Sequence, residues 1–104
     1  MDAALKDRID QIVKSKPVVI FMKGTPQFPQ CGFSGKAVSL LQQAGVKPDQ
    51  LGWFDVFSDD TIREGVKQYS NWPTLPQVFI KGEFVGGSDI LAELAQSGEL
   101  QKLL

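Results

Sequence analysis

The apolar positions of the first segment, Leu5, Ile9, Ile12 and Val13, recur at i, i+4, i+7 and i+8. That spacing predicts one apolar face of a helix ending before Pro17. Pro17-Val18-Val19-Ile20-Phe21-Met22 follows without a polar break. A continuous β-branched run of this kind predicts an interior strand buried on both faces. Gly24, Pro26 and Pro29 make Lys23–Gln30 a loop. Helical periodicity resumes after Cys31-Gly32 with Phe33, Ala37, Val38, Leu40, Leu41 and Ala44, and Gly45 stops it. Trp53–Val56 reads as a short strand, and Ser58-Asp59-Asp60 caps a third helix carrying Ile62, Val66 and Tyr69. Trp72-Pro73-Thr74-Leu75-Pro76 breaks that helix. Gln77–Ile80, Lys81-Gly82 and Glu83–Val85 form a hairpin. Ser88-Asp89 opens the last helix, with Ile90, Leu91, Leu94 and Ala95 on its face. Gly98 interrupts it before Leu100, Leu103 and Leu104.

The order α-β-α-β-α-β-β-α holds an early βαβ unit, which needs parallel pairing, and a late hairpin, which needs antiparallel pairing. The predicted fold class is therefore α/β, a four-stranded mixed sheet flanked by helices on both faces. The 104 residues suffice for one domain, 1–104. The aromatic residues Trp53, Phe54, Phe57, Trp72, Phe79 and Phe84 are expected in the core or on the sheet faces.

Composition narrows the chemistry. Eleven Lys+Arg against 12 Asp+Glu leave a net charge of -1. No basic stripe accompanies the aromatics, so nucleic acid is not an expected partner. No apolar run approaches the ~20 residues of a membrane span. The chain has no His, which removes imidazole metal sites and Cys-His or Ser-His-Asp catalysis. It has one Cys, Cys31, so neither an internal disulfide nor a four-thiolate site can come from one chain. A lone thiol points to a reducing intracellular compartment. The expected location is the cytoplasm, or the mitochondrial matrix or plastid stroma where a transit peptide has been removed.

Cys31 stands between a Pro-rich loop and a helix start, where free amides and the helix dipole favour a thiolate. Lys23, at the end of the preceding strand, is placed to lower its pKa further. A lone Cys is also commonly a small buried hydrophobe, but the strand-loop-Cys-helix setting favours the reactive reading. Position 34, where a Cys-x-x-Cys pair would have its second thiol, is Ser34. Thiol exchange at Cys31 must then use an external thiol.

Three runs carry a resemblance. Lys23-Gly24-Thr25-Pro26 with Pro29-Gln30-Cys31-Gly32-Phe33-Ser34, then Trp72-Pro73-Thr74-Leu75-Pro76-Gln77, then Gly82-Glu83-Phe84-Val85-Gly86-Gly87-Ser88-Asp89, resemble the monothiol glutaredoxins of the Cys-Gly-Phe-Ser type. The likeness covers nearly the whole chain and implies a thioredoxin-like fold, with Pro76 in cis. It also implies glutathione bound beside Cys31, and here the residues add detail. Lys23 suits a carboxylate. Arg63 and Lys67, one turn apart, suit a second carboxylate, and read equally well as a solvated helix face. Thr74 and the Leu75 backbone would line the groove, although Thr74 is also an ordinary turn residue. Ser88 and Asp89 suit the γ-glutamyl end or serve as helix caps. Many relatives carry Cys at the position of Ser88, and a second redox thiol is thereby lost here.

The resemblance further implies an iron–sulfur role. A [2Fe–2S] cluster commonly takes four thiolates: one Cys31 and one glutathione from each of two chains would supply them. The leading function is a glutathione-dependent [2Fe–2S] carrier, a homodimer when loaded and a monomer when empty, with BolA-like proteins and iron–sulfur acceptors as partners. The alternative is a monothiol reductase of protein–glutathione mixed disulfides.

Overall fold

A computed structural model describes residues 1–104. Helix α1 (Ala3–Val13) begins at Asp2, whose carboxylate accepts the Leu5 N–H at 2.8 Å. Strand β1 (Val18–Met22) is buried at every position. Helix α2 (Gly32–Gln43) precedes strand β2 (Leu51–Asp55), and helix α3 (Asp60–Ser70) follows it. Strands β3 (Gln77–Ile80) and β4 (Glu83–Gly86) lead to helices α4 (Ser88–Ser97) and α5 (Glu99–Leu103). Short 3-10 turns at Pro48–Gln50 and Val56–Ser58 flank β2.

The sheet order is β2-β1-β3-β4. β1 runs parallel to β2, pairing Val18 with Leu51 and Met22 with Asp55, and antiparallel to β3. β3 and β4 are antiparallel. This is the mixed sheet expected from one crossover and one hairpin. Lys81 and Gly82 both have positive φ, 53° and 82°, as a two-residue type I′ turn requires.

The alternation of β1 divides the core. Val18, Ile20 and Met22 pack with Ala37, Val38, Leu41, Leu91 and Leu100, from α2, α4 and α5. Val19 and Phe21 pack with Ile9, Val13, Ile62 and Val66, from α1 and α3. Phe79 meets Phe21 edge-on at 5.6 Å between ring centroids. Both sheet faces are thus covered, which is why the β1 run carries no polar residue.

Three sequence readings change. β2 begins at Leu51, two residues before the expected Trp53, and ends at Asp55; Val56 opens the next 3-10 turn. The last apolar stretch is a separate short helix, because Gly98 turns left-handed at φ 82°. Of the aromatics expected in the core or on the sheet, Phe57 and Trp72, 51% and 37% exposed, lie outside both, while Trp53 lies on the sheet in β2 but is 45% exposed. β2 is an edge strand, which leaves Trp53 without a covering neighbour strand. No helix is long and apolar enough to cross a membrane.

Candidate functional site

Cys31 is the N-cap residue of α2, with extended backbone at φ -154° and ψ 137°. It is partly exposed, which sets aside the buried-hydrophobe reading. The neutral thiol makes no capping hydrogen bond of ordinary geometry. The thiolate is nevertheless favoured, and the Cys31 pKa lies below its ordinary value. The Ser34 N–H contributes most, against an opposing push from burial. The Phe33 N–H, the Lys23 charge and the Ser34 hydroxyl then add to the lowering.

The Lys23–Gln30 loop ahead of Cys31 is tied down from several sides. Ser34 is fully buried and its Oγ accepts the Lys23 N–H at 3.1 Å. Gln30 N–H donates to the Lys23 carbonyl at 2.8 Å, and Thr25 and Phe28 exchange backbone hydrogen bonds. Gly24 sits at φ +89°, and a Cβ there would lie 2.5 Å from the Phe28 carbonyl oxygen. Only glycine fits both constraints.

Beside this loop lies a cleft of about 460 Å³, within the range of small-molecule sites. Its wall includes Lys23 from the end of β1, Phe33 from α2, and Arg63 and Lys67 from α3. The Trp72–Pro76 segment and Gly87–Ile90 complete it. All seven residues expected around glutathione, Lys23, Arg63, Lys67, Thr74, Leu75, Ser88 and Asp89, therefore line one cavity.

The individual placements are informative. Arg63 stacks over the Phe57 ring at 5.8 Å, and its Nε is buried with no hydrogen-bond partner. Lys67 Nζ contacts Glu64 at 3.2 Å, so that cation is shared with its own helix. Leu75 belongs to the core cluster that holds Phe21 and Phe79 and also lines the cleft. The peptide bond between Leu75 and Pro76 is cis. Gly87, not Ser88 or Asp89, is the N-cap of α4, and the cap makes no side-chain hydrogen bond. Ser88 is buried while Asp89 stands exposed in the first turn.

Sequence reasoning passed over Phe33, Trp72 and Pro73 in the wall, and two polar supports behind it. Gln77 is fully buried, and its Nε2 donates to the Trp72 and Thr74 carbonyls at 3.0 and 3.2 Å. A glutamine opening the apolar run Gln77-Val78-Phe79-Ile80 was the available signal. Asp55 Oδ1 accepts the N–H groups of Gly24 and Phe57, both at 3.0 Å. No group of three or more His, Cys, Asp or Glu side chains gathers anywhere to hold a metal ion.

A mixed four-stranded sheet with helices on both faces, and an activated cysteine at a helix N-terminus beside a cis-proline cleft, define a thioredoxin-like thiol protein. The Glutaredoxin family matches residues 18–85. A monothiol glutaredoxin of the ycf64-like kind from Synechocystis is 54% identical over 104 residues, spanning 100% of this chain and 94% of its own. The solution structure of reduced poplar apo GrxS14 superposes with a TM-score of 0.81 at 46% identity, covering 94% of this chain and 87% of that one. A buckwheat glutaredoxin–glutathione complex gives 0.82 at 27% identity, over 97% of this chain and 87% of its own. The chain belongs to the glutaredoxin family, as one of its monothiol members.

Proposed function

We propose that this chain is a glutathione-dependent carrier of [2Fe–2S] clusters. The observation that carries the reading is a cleft whose charges suit glutathione, walled by Phe33, two residues on from the chain's one thiol, and by Lys23, whose charge helps hold that thiol toward thiolate. Glutathione has two carboxylates and one ammonium. Lys23, Arg63 and Lys67 supply cations for the first pair, and Asp89 an anion for the ammonium. Thr74, the Leu75 backbone and Ser88 line the groove between them. The likeness to a buckwheat glutaredoxin solved with glutathione supports the same ligand.

Bound there, glutathione brings a second thiol to the neighbourhood of Cys31. One chain then offers two sulfur ligands, half of what a cluster commonly takes. Two chains meeting at their Cys31 ends supply the set, so the loaded form is a homodimer and the empty form a monomer. Ligands shared with a small molecule make the cluster transferable, and iron–sulfur acceptors are the partners this implies; BolA-like proteins are those that the family resemblance implies. A reducing compartment is required to keep both thiols free.

A second reading has its own support in the lowered Cys31 pKa. The Cys31 thiolate would attack the glutathionyl sulfur of a protein–glutathione mixed disulfide. The protein thiolate leaves with the electron pair of the broken S–S bond. A second glutathione thiolate then attacks the Cys31-bound glutathione, freeing Cys31 and glutathione disulfide. This turnover is expected to be slow, because Ser34 cannot resolve the intermediate and a glutathione clamped in the cleft resists attack by the second one.

The deciding experiment is anaerobic assembly with iron and sulfide, with and without glutathione, followed by visible absorption. The carrier reading expects chromophore only with glutathione and none in Cys31→Ser. A colourless parent that reduces mixed disulfides rapidly as a monomer would favour the reductase.

A further inference from the structure

We infer that Asp55 is a positioning residue that holds the Lys23 and Arg63 sides of the cleft in register through one carboxylate oxygen. Asp55 ends β2, beside Met22 at the end of β1. Its Oδ1 accepts two backbone N–H groups, from Gly24 and from Phe57, each at 3.0 Å. Gly24 directly follows Lys23, and Phe57 carries the ring on which the Arg63 guanidinium rests. Each cation is thus one short step from the same oxygen, along two different segments.

The bond to Phe57 alone is an ordinary local turn, with the side chain capping the 3-10 helix that it begins. The bond to Gly24 is different in kind, because it reaches a loop 31 residues away. It continues a series of ties on that loop: Ser34 Oγ holds the Lys23 N–H and Asp55 holds the next amide in the chain. Lys23 itself is therefore bracketed by two anchors from separate elements. Without Asp55, the loop keeps its tie to α2 but loses its tie to the turn that carries Phe57.

Only an acceptor at Oδ1 is needed, so an amide should replace the carboxylate while a methyl should not. The test compares Asp55→Ala and Asp55→Asn with the parent. Three measurements are made: the pH midpoint of Cys31 alkylation by iodoacetamide, amide hydrogen exchange at Gly24 and Phe57, and glutathione binding by calorimetry. Asp55→Ala is expected to raise the alkylation midpoint, because the segment that carries Lys23, whose charge favours the thiolate, loses one of its anchors. It should also speed exchange at both amides and weaken glutathione about tenfold, the scale of one loosened charge-assisted contact. Asp55→Asn is expected to restore all three.

The binding arm rests on the glutathione reading, and the other two do not. If the parent binds no glutathione, that reading fails and the joint is judged on the midpoint and exchange alone. A folded Asp55→Ala with a parental midpoint and parental exchange overturns the inference. Where Asp55→Ala does not fold, Asp55→Asn decides. Parental values support the shared acceptor, and a raised midpoint with fast exchange at Gly24 overturns it.

Discussion

At position 34 the chain places a hydroxyl where a dithiol protein would keep its second thiol. Ser34 is more than a missing cysteine, because its N–H and hydroxyl both favour the Cys31 thiolate while its Oγ holds the Lys23 amide. Lys23→Gln and Ser34→Ala are each expected to raise the alkylation midpoint of Cys31, and an unchanged midpoint in both would remove these residues from its control. Ser34→Ala should still assemble cluster, since it leaves both sulfur ligands in place. Asp89 and Leu75 separate binding from folding. Asp89→Ala is expected to weaken glutathione roughly tenfold through one lost charge-assisted contact. Leu75→Ala instead removes a side chain packed against Phe21 and Phe79. It should cost about 2–5 kcal/mol of stability, with little loss of glutathione affinity once folded. Calorimetry and denaturant melts on the two variants check both statements. Lys23, Thr74, Leu75, Ser88 and Asp89 were legible through the resemblance, which implied a ligand beside Cys31, whereas Arg63 and Lys67 read equally well as a solvated helix face until the fold brought them to the cleft. Asp55 and Gln77 were not, because each works by a side-chain bond to backbone that the fold alone brings near.

Between elements, α1 and α3 are clasped twice. Arg8 Nη1 meets Asp59 Oδ2 at 2.9 Å, and Asp59 also caps α3 through the Thr61 and Ile62 amides. The Tyr69 hydroxyl donates to Asp10, whose other oxygen takes Lys6 Nζ at 3.0 Å. Burial, then the Asp10 bond, pushes the Tyr69 pKa up to about 12. The folded phenol therefore binds its proton more tightly than the unfolded one. Its contribution is complete below the unfolded value of about 10 and is lost as pH rises toward about 12. Asp10 works in the opposite sense. Its pKa is held below the ordinary carboxylate value, by Tyr69 first and Lys6 next. That contribution is present above about pH 3.9 and is lost as pH falls through the lower folded value. Tyr69→Phe is expected to flatten both limbs relative to the parent in urea melts taken across pH. Parallel curves would show that the clasp adds nothing. The helices were readable from periodicity because a buried face dictates it, β1 from its unbroken apolar run, and β3 and β4 from the Lys81-Gly82 turn that joins them. The start of β2 was not: an edge strand carrying Gly52 and an exposed Trp53 has no such constraint.

For the whole molecule, the decisive property is that one chain stops at one thiol. Soft sulfur ligands are what an iron–sulfur cluster requires, and carboxylates are poor substitutes. The fold puts its sulfur at a partly exposed helix start, and under the proposed function the sulfur count would be completed by a small molecule and a second chain. Contact between the two chains of the proposed dimer would be largely through these ligands, so removal of the cluster should return it to monomers. The most direct test is the native mass of the anaerobically reconstituted protein. The account predicts a species of two chains, one [2Fe–2S] cluster and two glutathione molecules, absent from Cys31→Ser and collapsing to monomer when the cluster is chelated. A cluster-bearing species that contains no glutathione, or one that persists in Cys31→Ser, would contradict it.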